Sequence, residues 1–331
     1  MVHSCHIAMN KDTECSAPNN ASVPSGQVCA VIVTYFPDAA LLRKLLNSIA
    51  TQVDGVVMVD NTPQDRSIEP GPLLVASGLS MHYTIAFGEN RGIAAAQNAG
   101  IAWAMAHGFT YALLFDQDSI AVSNMILQLT QVAANRIAQG DKLAAIGPRY
   151  VDPRSGRSSS ALCIGKITTH QIPCGSLLPG QIIQSDLLIS SGSLLLLQAL
   201  EEIGTLDESL FIDHVDHDWC LRARHHGYSL YVVCGAVLEH RLGSDRVRYW
   251  FGRWRSFPAH SATRNYYMLR NILLVTRRPY VPLAWVVGEL ASLLPVLLAS
   301  LILQSDRVSR LTLIFRSIHD GLRNRSGPLR V

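Results

Sequence analysis

Hydrophobic residues make up 48% of this 331-residue chain and charged residues 16%, which excludes a disordered polymer, a coiled coil and a collagen-like repeat. The formal net charge of +3 is unevenly spread: from Arg241 onward there are 15 arginines, no lysine and four acids, a net +11, while the first 240 residues carry −8. An acidic body joined to an Arg-rich tail implies two surfaces with different partners. The tail interleaves tryptophans with a long apolar run, which fits an anionic membrane surface better than nucleic acid, and no nucleic-acid partner is expected.

Residues 1–25 mix Asn, Ser, Pro and charge without an apolar stretch, so they read as a disordered leader and not as a signal peptide. The seven cysteines form no Cys-x-x-Cys pair and imply neither a zinc ribbon nor a disulfide framework. The expected compartment is the reducing cytosol.

Val28 to Thr34 is a continuous apolar run of the kind that forms a strand buried on both faces. Asp38 is placed to cap a helix reaching Ala50, with Leu41, Leu42, Leu45, Leu46 and Ile49 at helical spacing. Strands are expected at Gly55–Val59, ending on Asp60-Asn61, and near His82–Phe87, leading to Asn90-Arg91-Gly92. An Ala-rich helix to about His107 and a strand Tyr111–Phe115, ending on Asp116-Gln117-Asp118, complete the first half. This alternation predicts an α/β fold with a mostly parallel sheet, in which ligands sit beyond the carboxyl ends of the strands. The polar residues gather at those ends.

Pro148 to about Gly180 reads as an irregular excursion. A helix is expected to begin within Asp213–Asp218 and run to about His226, followed by a strand from Ser229 and then Glu239-His240 with Gly243-Ser244. Beyond Arg246 a helical appendage is expected.

Four groups of residues could carry chemistry. Asp116 and Asp118, one residue apart at a strand end, can approach a divalent cation, and equally can form a solvated turn. Asp213, Asp216 and Asp218 offer a general base, or simply an acidic helix start favoured by the macrodipole. His240 at a strand end can complete a metal site or meet a diphosphate. Arg264-Asn265-Tyr266-Tyr267 with Arg270-Asn271 can point cations and amides at phosphate, or form a solvated basic helix.

Taken in order, these motifs resemble glycosyltransferase family 2, and within it the dTDP-L-rhamnose-dependent rhamnosyltransferases. The resemblance runs from about Cys29 to Arg278 and rests on Thr34-Tyr35, Val59-Asp60-Asn61, Asn90-Arg91-Gly92, Phe115-Asp116-Gln117-Asp118-Ser119, Asp207 to Arg222, Glu239-His240 and Tyr266 to Asn271. It implies a GT-A fold over residues 26–245, a divalent cation (Mg²⁺ or Mn²⁺) and an inverting displacement. By the same resemblance Thr34, Tyr35, Asp60 and Arg91 would hold the nucleotide. Asp116 would meet ribose or metal, Asp118 and His240 would hold the cation, and Arg270 would steady the leaving group. Asp216 falls at the family's catalytic base. Val215 stands where the family usually keeps another acid, which leaves Asp213 or Asp218 as substitutes.

Val281 to Leu303 is apolar except for Glu289, long enough to span a membrane but interrupted by Pro282, Gly288 and Pro295. Helices on the cytoplasmic leaflet of a bacterial inner membrane, with Trp250, Trp254 and Trp285 near the headgroups, are one reading of residues 246–331. A buried helix or dimer interface is the other. A membrane-facing tail suits a lipid-bearing saccharide acceptor: monorhamnolipid, giving dirhamnolipid, or a polyprenyl-diphosphate-linked polysaccharide intermediate. No Gly-x-Gly-x-x-Gly follows the first strand, which excludes a nicotinamide-dependent oxidoreductase. A non-enzymatic membrane scaffold would need the acidic motifs only as surface decoration.

Overall fold

The computed structural model describes residues 26–329 apart from 65–70, 80, 155, 175–180, 241–245 and 252. The expected leader and the Gly243-Ser244 step lie outside these residues. So do the side chains of residues 246–258, including Trp250 and Trp254.

The first half runs β1 (Val28–Thr34), α1 (Ala39–Ile49), β2 (Gly55–Pro63), α2 (Gly71–Ala76), β3 (His82–Gly88), α3 (Ile93–Ala106) and β4 (Tyr111–Asp116). Its strands pair in parallel in the order β3-β2-β1-β4. Every residue of β1 is buried, because helices cover both faces and successive side chains point to opposite sides. Val31 and Val33 enter one core with Val57, Ile101 and Leu114, while Ala30 and Ile32 enter the other with Leu42, Leu46 and Phe115. Full burial of each such leucine contributes on the order of 2 kcal/mol. Asp38 caps α1 as its position predicts, accepting from the Ala40 and Leu41 amides at 2.8 and 3.2 Å.

The second half contains β5 (Ile120–Ala121), α4 (Met125–Ala138), β6 (Leu143–Val151), β7 (Ser160–Ile164), β8 (Thr169–Pro173), β9 (Ile182–Ser185), β10 (Leu194–Leu196), α5 (Leu197–Ile203), α6 (Val215–His225) and β11 (Ser229–Glu239). The sheet is here mixed and not mostly parallel: β10 lies antiparallel between β4 and β6, and β11 runs parallel to β6. The reversal follows the Ser190–Ser193 step, where Gly192 takes φ 76° and its amide donates to Leu114 O. The excursion after Pro148 is not irregular throughout, since β7 and β8 form a hairpin. Nor are the cysteines all free: Cys174 and Cys234 form a disulfide that ties the end of β8 to β11, 60 residues away in sequence.

The tail opens on a hairpin, β12 (Arg246–Phe251) and β13 (Arg253–Pro258), where a helix was expected. Three helices follow: α7 (Ala262–Val275), α8 (Leu283–Leu303) and α9 (Arg307–Leu322). Helix α8 docks on the domain through Trp285, which is fully buried, and through Gly288, where a Cβ would come within 2.6 Å of the Thr169 hydroxyl. Its opposite side leaves Leu283, Val287, Leu294, Leu298 and Ile302 exposed. On α9, Val308, Leu311, Phe315, Ile318 and Leu322 are exposed at spacings of three and four, so they form one apolar stripe.

Candidate active site

A cleft of about 470 Å³ opens beyond the carboxyl ends of the parallel strands, lined by Tyr35, Asn61, Asn90, Asp116, Asp118, His240 and Arg264 among others. Thr34 and Asp60, expected there too, are buried behind it, with exposures of 1% and 3%. The Thr34 hydroxyl donates to Asp60 Oδ1 at 3.0 Å, and the Thr62 amide donates to the same oxygen at 3.1 Å. This pair shapes the strand ends, and Asn61 beside it faces the cleft. Asn61 Oδ1 accepts from the Arg91 amide, while its Nδ2 donates to Asn90 Oδ1. The Arg91 side chain turns to Glu89 and the Phe87 ring. Gly92 takes φ +89°, and a Cβ on it would come within 2.5 Å of Phe211 O, so only glycine fits this crossing.

Asp116 ends β4 with about 40% of its side chain exposed to the cleft. Surrounding protein raises its pKa, His240 pulls it back, Asp118 and Asp216 raise it further, and Arg264 lowers it. His240 Nε2 lies 3.7 Å from Asp116 Oδ2. Its Nδ1 meets Ser119 Oγ at 2.9 Å, and Ser119 meets Ser191 at 2.8 Å, which fixes the imidazole. Two carboxylates and an imidazole on an open cleft are chemistry that fits Mg²⁺ or Mn²⁺, which keep several positions for water and phosphate.

Phe211 and Ile212 line the far side of the cleft, at the start of a turn that runs on to Asp218, while Asp216 lines a small adjoining hollow with Ser190 and Trp219. Phe211, Asp213 and His214 have φ of 67°, 62° and 62°, which stores strain in non-glycine residues. Asp216 opens α6, accepting from the Ser190 amide at 3.3 Å and the His217 amide at 2.9 Å. The Ser190-Ser191 step thus touches both aspartates, the Ser190 amide donating to the Asp216 carboxylate and Ser191 Oγ accepting from the Asp116 backbone amide.

Three expectations are corrected here. Asp218 is fully buried and ion-paired to Arg278, with Tyr280 donating at 2.7 Å, so it cannot substitute as the base. Burial works against the Arg278 charge, but Asp218, Tyr280 and Asp207 outweigh it and push its pKa up. Asp213 is held by the Arg264 guanidinium at 3.0 Å and does not stand free. Arg270 does not reach the cleft at all: it is 1% exposed, and its guanidinium donates to Leu210 O, Gly327 O and Asn271 Oδ1. The sequence motif instead forms a clamp. Asn271 Nδ2 donates to Leu210 O, Ile212 O and Asp213 O at 2.7–2.9 Å, holding the strained turn from below. Among the described residues, the arginine that lines the cleft is Arg264, six residues earlier on α7.

Glu289 was not anticipated. From α8 it meets His214 Nε2 at 3.1 Å and His217 Nδ1 at 3.3 Å, and Trp285 packs edge-on against both imidazoles. Its signal was present as the lone charge in an apolar run. Among the described residues these three donors lie within 4.8 Å of one another, whereas Asp116, Asp118 and His240 do not close to that spacing. A larger hollow of about 590 Å³ lies between α6, the β7–β8 hairpin and the start of α8, but Asp186, the carboxylate lining it just after β9, is paired to Arg224 at 2.7 Å.

The mixed sheet, with a carboxylate-lined cleft at the carboxyl ends of its parallel strands, is the GT-A fold found in solved glycosyltransferases. Residues 29–173 match the family model for glycosyl transferase family 2. The dTDP-rhamnosyl transferase RfbF of Shigella flexneri is 29% identical over 315 residues, spanning 92% of this chain and 98% of its own. Among solved structures, the mannosyltransferase PcManGT of Pyrobaculum calidifontis, in complex with GDP-Man and Mn²⁺, aligns with TM-score 0.52 at 13% identity over 91% of this chain and 88% of its own. GalNAc-T7 with UDP, GalNAc and Mn²⁺ aligns with TM-score 0.54 at 12% identity over 77% of this chain, which spans about half (52%) of that protein's length.

Proposed function

We propose that the protein transfers L-rhamnose from dTDP-L-rhamnose, with inversion, to a hydroxyl of a lipid-borne saccharide at the cytoplasmic face of a bacterial inner membrane. The observation that carries the reaction class is the single cleft that Asp116, Asp118, His240 and Arg264 line together with Asn61 and Asn90. The donor follows from the likeness to RfbF. Tyr35 and Asn61 receive the nucleoside end, supported from behind by Thr34 and Asp60, with Arg91 at the rim. A divalent cation held by Asp118 and His240, with Asp116 beside them, would supply positive charge to the donor diphosphate.

Asp216 takes the proton of the acceptor hydroxyl as its oxygen bonds to the anomeric carbon and the bond to the diphosphate oxygen breaks. Arg264 offers the second positive charge on the cleft, the role expected of Arg270. The Ser190 and His217 amides both donate to the Asp216 carboxylate and fix its orientation.

The exposed apolar faces of α8 and α9, set in an Arg-rich tail, support an acceptor presented at a membrane surface. Helix α8 is long and apolar enough to cross a membrane, but its docked side and Glu289 favour lying on the surface. Monorhamnolipid and a polyprenyl-diphosphate-linked saccharide both meet that condition. Cytosolic action requires that the Cys174–Cys234 bond be dispensable, since thiols are kept reduced there.

The test is dTDP release from dTDP-L-rhamnose by the full chain on vesicles with Mg²⁺ or Mn²⁺ under reducing conditions, offering each acceptor in turn. Release that depends on one acceptor supports the reading and names the acceptor. No release with either, alongside turnover of another nucleotide sugar, would overturn the donor.

A further inference from the structure

Glu289 lies outside the matched family domain, yet both of its carboxylate oxygens reach into the turn that carries Asp216. One oxygen takes His214, two residues before Asp216, and the other takes His217, the residue after it. A carboxylate in a long apolar helix is costly unless it is paired, so its pairing here determines how α8 sits. At 100° per residue, Glu289 and Trp285 fall on the side of α8 opposite to Leu283, Val287, Leu294 and Leu298, the exposed apolar side. The turn it grips contains residues of positive φ, which persist only where surrounding contacts over-determine them. Asn271 supplies those contacts up to Asp213, and Glu289 supplies them from His214 onward.

We infer that Glu289 is a positioning residue for the transfer reaction: through His214 and His217 it holds Asp216 in line with the acceptor, making α8 a part of the catalytic apparatus as well as an anchor. The inference rests on the proposed role of Asp216. His217 Nδ1 lies 3.3 Å from both Glu289 Oε1 and the Trp285 indole nitrogen, and it cannot donate to one while accepting from the other. The carboxylate charge favours donation to Glu289. Burial works against a charged His217, but the Glu289 hydrogen bond and charge outweigh it, Asp216 and Asp213 add to them, and the imidazole is pushed up to about 9. The charged or titratable groups facing it are therefore Glu289 from α8, with Asp213, His214 and Asp216 from the turn and α6.

Glu289→Leu keeps α8 apolar and removes the tie, whereas Glu289→Gln keeps an acceptor and a donor for the two imidazoles. On vesicles, Glu289→Leu is expected to lower kcat by about 30-fold with the donor KM within about twofold, because small misplacements of a reacting group cost heavily. Vesicle co-sedimentation should stay unchanged, and Glu289→Gln should recover most of kcat. In histidine NMR titrations, which need no turnover, the His217 resonance should titrate near 9 in the wild type and move toward about 6.5 in Glu289→Leu. Unchanged kcat in Glu289→Leu, or parallel losses of kcat, donor affinity and folding, would overturn the inference. An ordinary His217 titration in the wild type would do so as well, whatever the donor proves to be. A wild type that turns over a different donor would instead count against the proposed function, and the titration would still read the tie.

Discussion

The two walls of the cleft are built in different ways. The wall proposed to bind the donor is local: Thr34, Asp60, Asn61 and Asp116 stand at adjacent strand ends, and the parallel register that pairs Thr34 with Asp60 brings them together. The wall proposed to meet the acceptor is assembled from a distance. Its Phe211–Asp218 turn is held by Asn271 from α7 and Glu289 from α8, about 60 and 75 residues further along the chain. A wall made by strand register tolerates small losses, whereas a strained turn depends on each of its clamps.

The largest stability effect should therefore come from the clamp. Asn271→Ala removes hydrogen bonds to three carbonyls under a strained turn, and is expected to lower unfolding stability by about 2–4 kcal/mol, read by denaturant titration. A change below about 0.5 kcal/mol would mean the turn holds itself. Gly92→Ala strikes the crossing where the walls touch. With φ at +89° and Phe211 O in the way, it should cost about 2–3 kcal/mol. A Gly92→Ala protein with unaltered melting would show that the walls are not in contact there.

A smaller effect separates the walls by pH. The folded-state pKa of His217 is raised to about 9, above the unfolded value near ~6.5. Its contribution is thus fully present below about pH 6.5 and lost as pH rises through about 9. Wild-type stability should fall across that window, and Glu289→Leu should remove the fall. An equal decline in both proteins would assign it to other groups.

This contrast also explains what the sequence made legible. The strands of the donor wall were readable because apolar runs ending on Asp or Asn mark both the strand and its functional end. Asp38 as a cap and the helix through Ile49 were readable for the same local reason. The antiparallel β10 was not, since three leucines in a row carry no direction. Arg270 was misread because an Arg-Asn pair on a helix has the same pattern whether it meets a phosphate or backbone carbonyls, and only burial distinguishes them. Glu289 was visible as an isolated charge, but nothing local could name its partners in α6.

The central claim is that Asp216 acts on an acceptor while the other wall holds the donor. The most direct measurement compares Asp216→Asn with the wild type, following dTDP-L-rhamnose binding by calorimetry and sugar transfer in the same preparation. Donor affinity within about twofold, together with transfer lowered by about 10³-fold, is the result predicted for a general base. Near-full transfer by Asp216→Asn would contradict the account, because no other carboxylate described on that wall stands free to take the proton.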